Sequence, residues 1–285
     1  MVSLADLDRE KEVMTWCPGC GNFTILSALK KALVSLKVEP HNAVVVAGIG
    51  CSGHLPNWIN IYGFGGLHGR TLPVASAIKL SNHKLTVIAQ GGDGDGYSIG
   101  IGHFIHTARR NIDITYITHN NQIYGLTTGQ TSPTSPRGTV TKFTPFGSLE
   151  DPLNPIALAI TSGATFVARG FAGDLEQLTK LFQQAISHNG FALVDVLQPC
   201  VTFNRTNTFQ WFRERVYKLD DGYDPTDKVA AYRKALEWGD RIPTGVFYRV
   251  KRRTYSEGLP QISKTPLVKQ RIGNVDIVKL VKQFM

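Results

Sequence analysis

The stretch that most constrains this chain runs from residue 85 to residue 130. The apolar, β-branched run Leu85 to Ala89 has the length of a buried parallel strand. Gly91, Gly92, Gly94 and Gly96 interrupt it around Asp93 and Asp95. Ser98 to Ala108 then reads as a helix and Ile112 to Thr118 as a second strand, which ends in His119-Asn120-Asn121. In a parallel sheet both strand ends lie on the carboxyl rim, where doubly wound folds bind ligands. Asp93 and Asn121 therefore converge although 28 residues separate them.

Two hard oxygen donors on one rim suit Mg²⁺, which takes few protein oxygens and completes its octahedron with phosphate and water. The glycines flanking Asp93 let backbone N–H groups approach a diphosphate at the helix end. A dinucleotide site is the rival, but no full G-x-G-x-x-G falls on residues 91–105, and no G-x-x-x-x-G-K-[ST] follows a strand.

The surrounding chain repeats the alternation of strand and helix. Phe23 to Leu36 carries apolar residues at helical spacing directly after the turn Cys17-Pro18-Gly19-Cys20, and Ala43 to Ala47 is an all-apolar strand ending in Gly48-Ile49-Gly50-Cys51-Ser52. Thr71 to Leu80, Pro155 to Ser162 and Leu175 to Ser187 read as helices, Thr165 to Arg169 and Phe191 to Leu197 as strands. This predicts an α/β fold, a doubly wound and mainly parallel sheet, over residues 1–205. Residues 53–70 and Thr127 to Ser148 read as functional loops, the second long enough to be a lid. Beyond Cys200 the pattern decays, apart from a helix at Lys228 to Trp238, and residues 206–285 are expected to be an extension and partner-binding arm.

Charge locates that arm. The chain carries +9 overall, but residues 249–285 hold nine Lys or Arg against Glu257 and Asp276, a net of +7. A near-neutral body argues against nucleic acid and for a basic arm that meets an acidic protein. Its apolar residues (Leu259, Ile262, Leu267, Val268, Ile272, Val275, Ile277, Val278, Leu280, Val281) are expected to pack on the subunit. A charged N-terminal stretch and the lack of any 18-residue apolar run predict a soluble cytoplasmic chain without a membrane partner.

Four cysteines stand at 17, 20, 51 and 200. Disulfides are disfavoured in a large cytoplasmic chain, and counting alone leaves structural Zn²⁺ and an iron–sulfur cluster equal. A redox Cys-x-x-Cys pair leaves Cys51 and Cys200 unexplained.

Gly92-Asp93-Gly94 followed by Asn120-Asn121 resembles the thiamine diphosphate fingerprint. Together with Trp16-Cys17-Pro18-Gly19-Cys20, Gly48-Ile49-Gly50-Cys51, Leu67-His68-Gly69-Arg70, Tyr124-Gly125-Leu126-Thr127-Thr128-Gly129-Gln130 and Pro199-Cys200, it is similar to the β subunits of 2-oxoacid:ferredoxin oxidoreductases, the 2-oxoglutarate type above all. The resemblance implies Mg²⁺ on Asp93, the Asn121 side chain and the Ile123 carbonyl, and one 4Fe-4S cluster on Cys17, Cys20, Cys51 and Cys200. Further cofactor contacts are expected from Ile49, Gly50, Ser52, His68, Gly92, Gly94, Asp95, Gly125 and Leu126. The implied reaction is thiamine-dependent oxidative decarboxylation of a 2-oxoacid (2-oxoglutarate, or else pyruvate) to acyl-coenzyme A and CO₂, with electrons passed to ferredoxin. A partner α subunit is implied for the second half of the thiamine site and for coenzyme A. His54 and Thr128 fall where some family members carry lysines that meet substrate carboxylates, which leaves His54, Arg70 or the partner for that task; His68 is the remaining candidate beside the reactive carbon. Two alternatives stand beside this reading: a non-redox thiamine decarboxylase or carboligase with zinc on the cysteines, and a non-catalytic iron–sulfur carrier.

Overall fold

The computed structural model describes residues 2–9, 12–220, 222–271, 273 and 276–285. Its frame is an eight-stranded sheet of order β2-β1-β3-β4-β6-β5-β8-β7: β1 Ala43–Ala47, β2 Tyr62–Gly65, β3 Thr86–Gly92, β4 Ile114–Asn120, β5 Phe166–Phe171, β6 Phe191–Leu197, β7 Val216–Lys218 and β8 Ile242–Arg249. Every described pairing is parallel except β5 with β8.

The alternating side chains of the strands split the core into two layers. Val45, Ile88, Ile117, Ala168 and Val194 pack under α1 (Asn22–Ser35) and α5 (Leu175–Ile186). Val44, Val46, Val87, Tyr116 and Leu193 pack under α2 (Thr71–Ser81), α3 (Ile101–Arg110), α4 (Pro155–Thr161) and α6 (Lys228–Ala235). The sheet is thus covered on both faces, the doubly wound arrangement expected, and β1, β4, β5 and β6 are buried along their whole length.

Four differences from the sequence reading stand out. Gly91 and Gly92 do not break the strand: β3 runs to Gly92, paired with His119. Loop 53–70 contains a 3₁₀ stretch, Ser52–Trp58, and the exposed edge strand β2. The sheet continues past residue 205, because β8 pairs with β5 and carries β7. Pro243, Gly245 at φ +129° and the register shift opposite Val167/Ala168 hid β8 in the sequence.

The fourth difference concerns the arm. Ile262 is buried, but Leu267, Val268, Ile277, Val278, Leu280 and Val281 are exposed, so their apolar sides do not pack on the subunit. A five-residue helix, Ile277–Val281, cannot bury a stripe against a body it does not reach. Ile272 and Val275, assigned to the same stripe, lie outside the described residues. Among the described residues no helix is long and apolar enough to cross a membrane.

Candidate active site

The strand order puts the carboxyl ends of β1, β3, β4 and β6 side by side. A cavity of about 510 Å³ opens there, within the range of cofactor sites. Ile49, Gly50 and Ser52 line it from the end of β1, and Gly92, Asp93, Gly94 and Asp95 from the end of β3. Asn121, Ile123, Gly125 and Leu126 line it from the end of β4, and His68 from the loop before α2. All twelve residues expected around the cofactor therefore meet in one space.

The two acidic residues differ in what surrounds them. Asp95 Oδ1 accepts from Ile49 N at 3.0 Å, Gly69 N at 2.8 Å and His68 Nδ1 at 2.9 Å, and Oδ2 accepts from Thr71 Oγ1 at 3.2 Å. A carboxylate only accepts, so the proton of His68 sits on Nδ1. Asp95 thereby ties the β1 loop and the His68 loop to β3. The side chains that reach Asp93 offer only hydroxyls: Ser132 Oγ at 2.5 Å and Thr134 Oγ1 at 2.6 Å, both on Oδ2. Burial pushes its pKa above the ordinary carboxylate range.

Three polar atoms of residues that line this cavity are buried without a hydrogen-bond partner among the described residues: Ser52 Oγ, His119 Nε2 and Gln198 Oε1. Such orphans are rare, and their convergence fits a polar ligand. His119 Nδ1 meets Asn22 Oδ1 at 2.7 Å, which puts its proton there and turns a lone pair on Nε2 toward the cavity; burial takes its pKa down to about 3. His119, Tyr124, Gln130 and Gln198 are lining residues that the sequence reading missed. Gly94 is needed for close approach, since a Cβ there would stand 2.3 Å from the Tyr124 ring.

Cys17, Cys20, Cys51 and Cys200 line a second cavity of about 280 Å³, although 183 residues separate the first from the last. All four are free thiols. A Cβ on Gly125 would lie 3.6 Å from both the Cys51 and the Cys200 sulfur. Gln198 Nε2 donates to Cys20 Sγ at 3.3 Å, and Trp16 Nε1 donates to the Cys51 carbonyl at 2.6 Å. Burial first, then the neighbouring cysteines, pushes the Cys20 thiol up to about 12. Among the described residues no three His, Cys, Asp or Glu side chains come close enough to share one ion. The four thiols line one common cavity, a sulfur donor set that suits an iron–sulfur cluster or zinc.

The candidate substrate contacts are scattered. His54 and Thr128 line the cysteine cavity, not the larger one. Arg70 lies outside both and is exposed, donating to His103 Nε2 on α3. Lys142, which sequence reasoning passed over, donates its Nζ to Thr128 Oγ1 at 2.8 Å.

Residues 48–196 match the family described as thiamine pyrophosphate enzyme, C-terminal TPP binding domain. Residues 200–264 match the family formed by the C-terminal part of the pyruvate ferredoxin oxidoreductase beta chain. A 2-oxoacid:ferredoxin oxidoreductase subunit beta of Sulfolobus sp is 52% identical over 247 residues, covering 82% of this chain and 81% of that one. The chain belongs to the 2-oxoacid:ferredoxin oxidoreductase β-subunit family. The 2-oxoglutarate synthase subunit KorB of Archaeoglobus fulgidus is 38% identical, covering 81% of this chain and 89% of its own length. The fold also superposes on a solved 2-oxoglutarate:ferredoxin oxidoreductase from Magnetococcus marinus with 2-oxoglutarate, coenzyme A and succinyl-CoA bound: TM-score 0.92, 37% identity, 100% of this chain and 96% of that one. The two family matches meet near residue 200, and β7 and β8 beyond it extend the same sheet.

Proposed function

We propose that this chain is the cofactor-bearing half of a 2-oxoglutarate-type oxidoreductase, with thiamine diphosphate and Mg²⁺ in the larger cavity and a 4Fe-4S cluster in the smaller. The observation that carries this reading is a shared wall: Cys51, Asn121, Gly125, Leu126 and Gln198 line both cavities. Thiamine diphosphate would supply an electron sink for decarboxylation and then release two electrons. A cluster directly across that wall could take them one at a time and pass each on to ferredoxin; zinc, being redox-inert, could not.

The residues divide the work. Asp93, the Asn121 side chain and the Ile123 carbonyl would hold Mg²⁺ on the diphosphate, a hard-oxygen set suited to that ion. His68, held by Asp95, and His119, held by Asn22, present ring nitrogens at the cavity wall. Gly125 keeps the wall thin. Gln198 holds a sulfur by its amide nitrogen while its orphaned oxygen faces the wall.

An α subunit would complete the thiamine site and carry coenzyme A, making an αβ unit, and ferredoxin would accept the electrons. Four cysteines that serve as thiolate ligands belong in a reducing compartment, the cytoplasm. The test is coenzyme A-dependent viologen reduction by the co-purified αβ complex with pyruvate, 2-oxobutyrate and 2-oxoglutarate. We expect 2-oxoglutarate to give the largest kcat/KM. No reduction with any 2-oxoacid would sink the reading.

Lys142 brings an ammonium to Thr128, where some family members carry a lysine, and we assign it to the distal carboxylate. Lys142→Met should raise the KM for 2-oxoglutarate about tenfold, the scale of roughly 1.4 kcal/mol of charge-assisted bonding, and leave pyruvate unchanged. An equal rise for both substrates would remove Lys142 from distal-carboxylate recognition.

The arm offers its exposed Ile277, Val278, Leu280 and Val281 to a partner, with basic residues alongside. Truncation after Arg249 should weaken co-purification of the α subunit while the thiamine and cysteine cavities persist. If the truncated chain co-purified stoichiometrically with α and kept the salt dependence of ferredoxin reduction, the arm would have no role in association.

A further inference from the structure

The long segment after β4 carries no strand or helix from residue 127 to 154, yet Ser132, Thr134 and Ser135 within it are 5%, 2% and 3% exposed. Their burial has a specific target. Asp93 Oδ2 accepts from Ser132 Oγ at 2.5 Å and from Thr134 Oγ1 at 2.6 Å. Among the described residues no side chain donates to Oδ1. Thr134 Oγ1 also lies 2.9 Å from Asn120 Oδ1, so one hydroxyl stands between the residue that follows β3 and the residue that ends β4.

The turn that carries these hydroxyls is itself braced. Ser132 N donates to Ser135 Oγ at 2.8 Å, and Ser135 Oγ donates to the Gln122 carbonyl at 2.6 Å. Gln122 Nε2 returns a bond to the Thr134 carbonyl at 2.9 Å, and Leu153 N donates to the Pro133 carbonyl at 2.8 Å. Short bonds from a braced turn to a buried carboxylate fix its rotamer and its face. Two of the three buried hydroxyls are thus satisfied by the acid, and the third, Ser135, holds the turn that presents them.

We propose that Ser132 and Thr134 are positioning residues for Asp93. Resting on the reading of Asp93 as a Mg²⁺ ligand, they hold one carboxylate oxygen and leave the other for the metal. Thr134, through its contact with Asn120, also sets the gap between Asp93 and the neighbouring donor Asn121. The segment 127–154 is then part of the metal site and not only a cover over it. Outer partners of metal ligands act in this way, by orienting the donor and limiting the geometries it samples.

The test uses the co-purified αβ complex stripped of divalent metal, with Mn²⁺ titrated in the presence of thiamine diphosphate and free Mn²⁺ read by electron paramagnetic resonance. Ser132→Ala and Thr134→Val should each weaken Mn²⁺ binding 10–100-fold, the usual cost of losing an outer partner, and Thr134→Ser should restore it to near the wild-type value. Melting of the metal-free complex is measured alongside, because a purely structural role would lower it without moving the metal affinity. Mn²⁺ affinity within twofold of wild type in both Ser132→Ala and Thr134→Val overturns the proposal, whatever the melting temperature. If Thr134→Val does not assemble, Ser132→Ala and Thr134→Ser decide it. Wild-type complex that binds no Mn²⁺ overturns the metal-site reading and the positioning role together.

Discussion

Replacing any one of Cys17, Cys20, Cys51 or Cys200 with serine should strip the purified subunit of its brown colour and of most of its iron. The wild-type content is expected to be about four iron atoms per chain, one cubane on four thiolates. The effect should be large for each position because the four thiols come from three remote parts of the fold. Cys17 and Cys20 precede α1, Cys51 follows β1 and Cys200 follows β6. A ligand set of this kind stitches those elements together, and metal-ligand free energy is then folding free energy. Each variant should also melt earlier and yield less complex. Chemical analysis that found zinc in place of iron, or a serine variant with undiminished iron, would refute the cluster.

Asp93→Ala should give the opposite pattern: iron retained, thiamine diphosphate lost. Asp93 is 1% exposed, and among the described residues no Lys, Arg or His side chain bonds to it; its side-chain donors are the Ser132 and Thr134 hydroxyls. A buried carboxylate without a countercharge is costly, so the site is poised for a cation. Removing the charge should not harm the cofactor-free protein. It should abolish the stabilisation that cofactor brings, about 2.7 kcal/mol for wild type at a hundredfold excess over Kd. The measurement is the rise in melting temperature with added Mg²⁺ and thiamine diphosphate, beside cofactor content after purification. A normal rise in the variant would move the metal elsewhere. Asp95→Ala is the control, and its failure should be of a different kind. Four donors converge on Asp95, so its loss should loosen the loops at Ile49 and His68 and lower stability with or without cofactor.

The strand ends were legible in the sequence because each is an apolar run followed at once by glycine or an amide, and parallel strands send such ends to one rim. That logic brought Ile49 to Ser52, Asp93 and Asn121 to a common cavity without any knowledge of the helices between them. Ser132 and Thr134 were not legible: they lie 39 and 41 residues from Asp93 in a stretch whose hydroxyls look solvated, and only the turn built on Ser135 and Gln122 turns them inward. Gln198 gave a weak signal in its place just before Pro199-Cys200, but nothing in its spacing marks it as touching both cavities. The arm was misread because counting apolar residues says they need cover, and does not say whose.

Strand β8 runs against its neighbours, and Arg249 pairs with Phe166, the first residue of β5. Arg249, Lys251, Arg252 and Arg253 are therefore rooted at the amino rim, about 20 Å from the carboxyl rim by the rise of a six- or seven-residue strand. The molecule has two poles: electrons would leave from one, while positive charge gathers at the other. A small acidic carrier drawn to those arginines would dock with its own redox centre a full sheet's width from the thiolates. Attraction to these four basic residues would thus draw a carrier away from the thiols, and a carrier that collects electrons from them would have to dock near Cys17, the exposed one of the four cysteines.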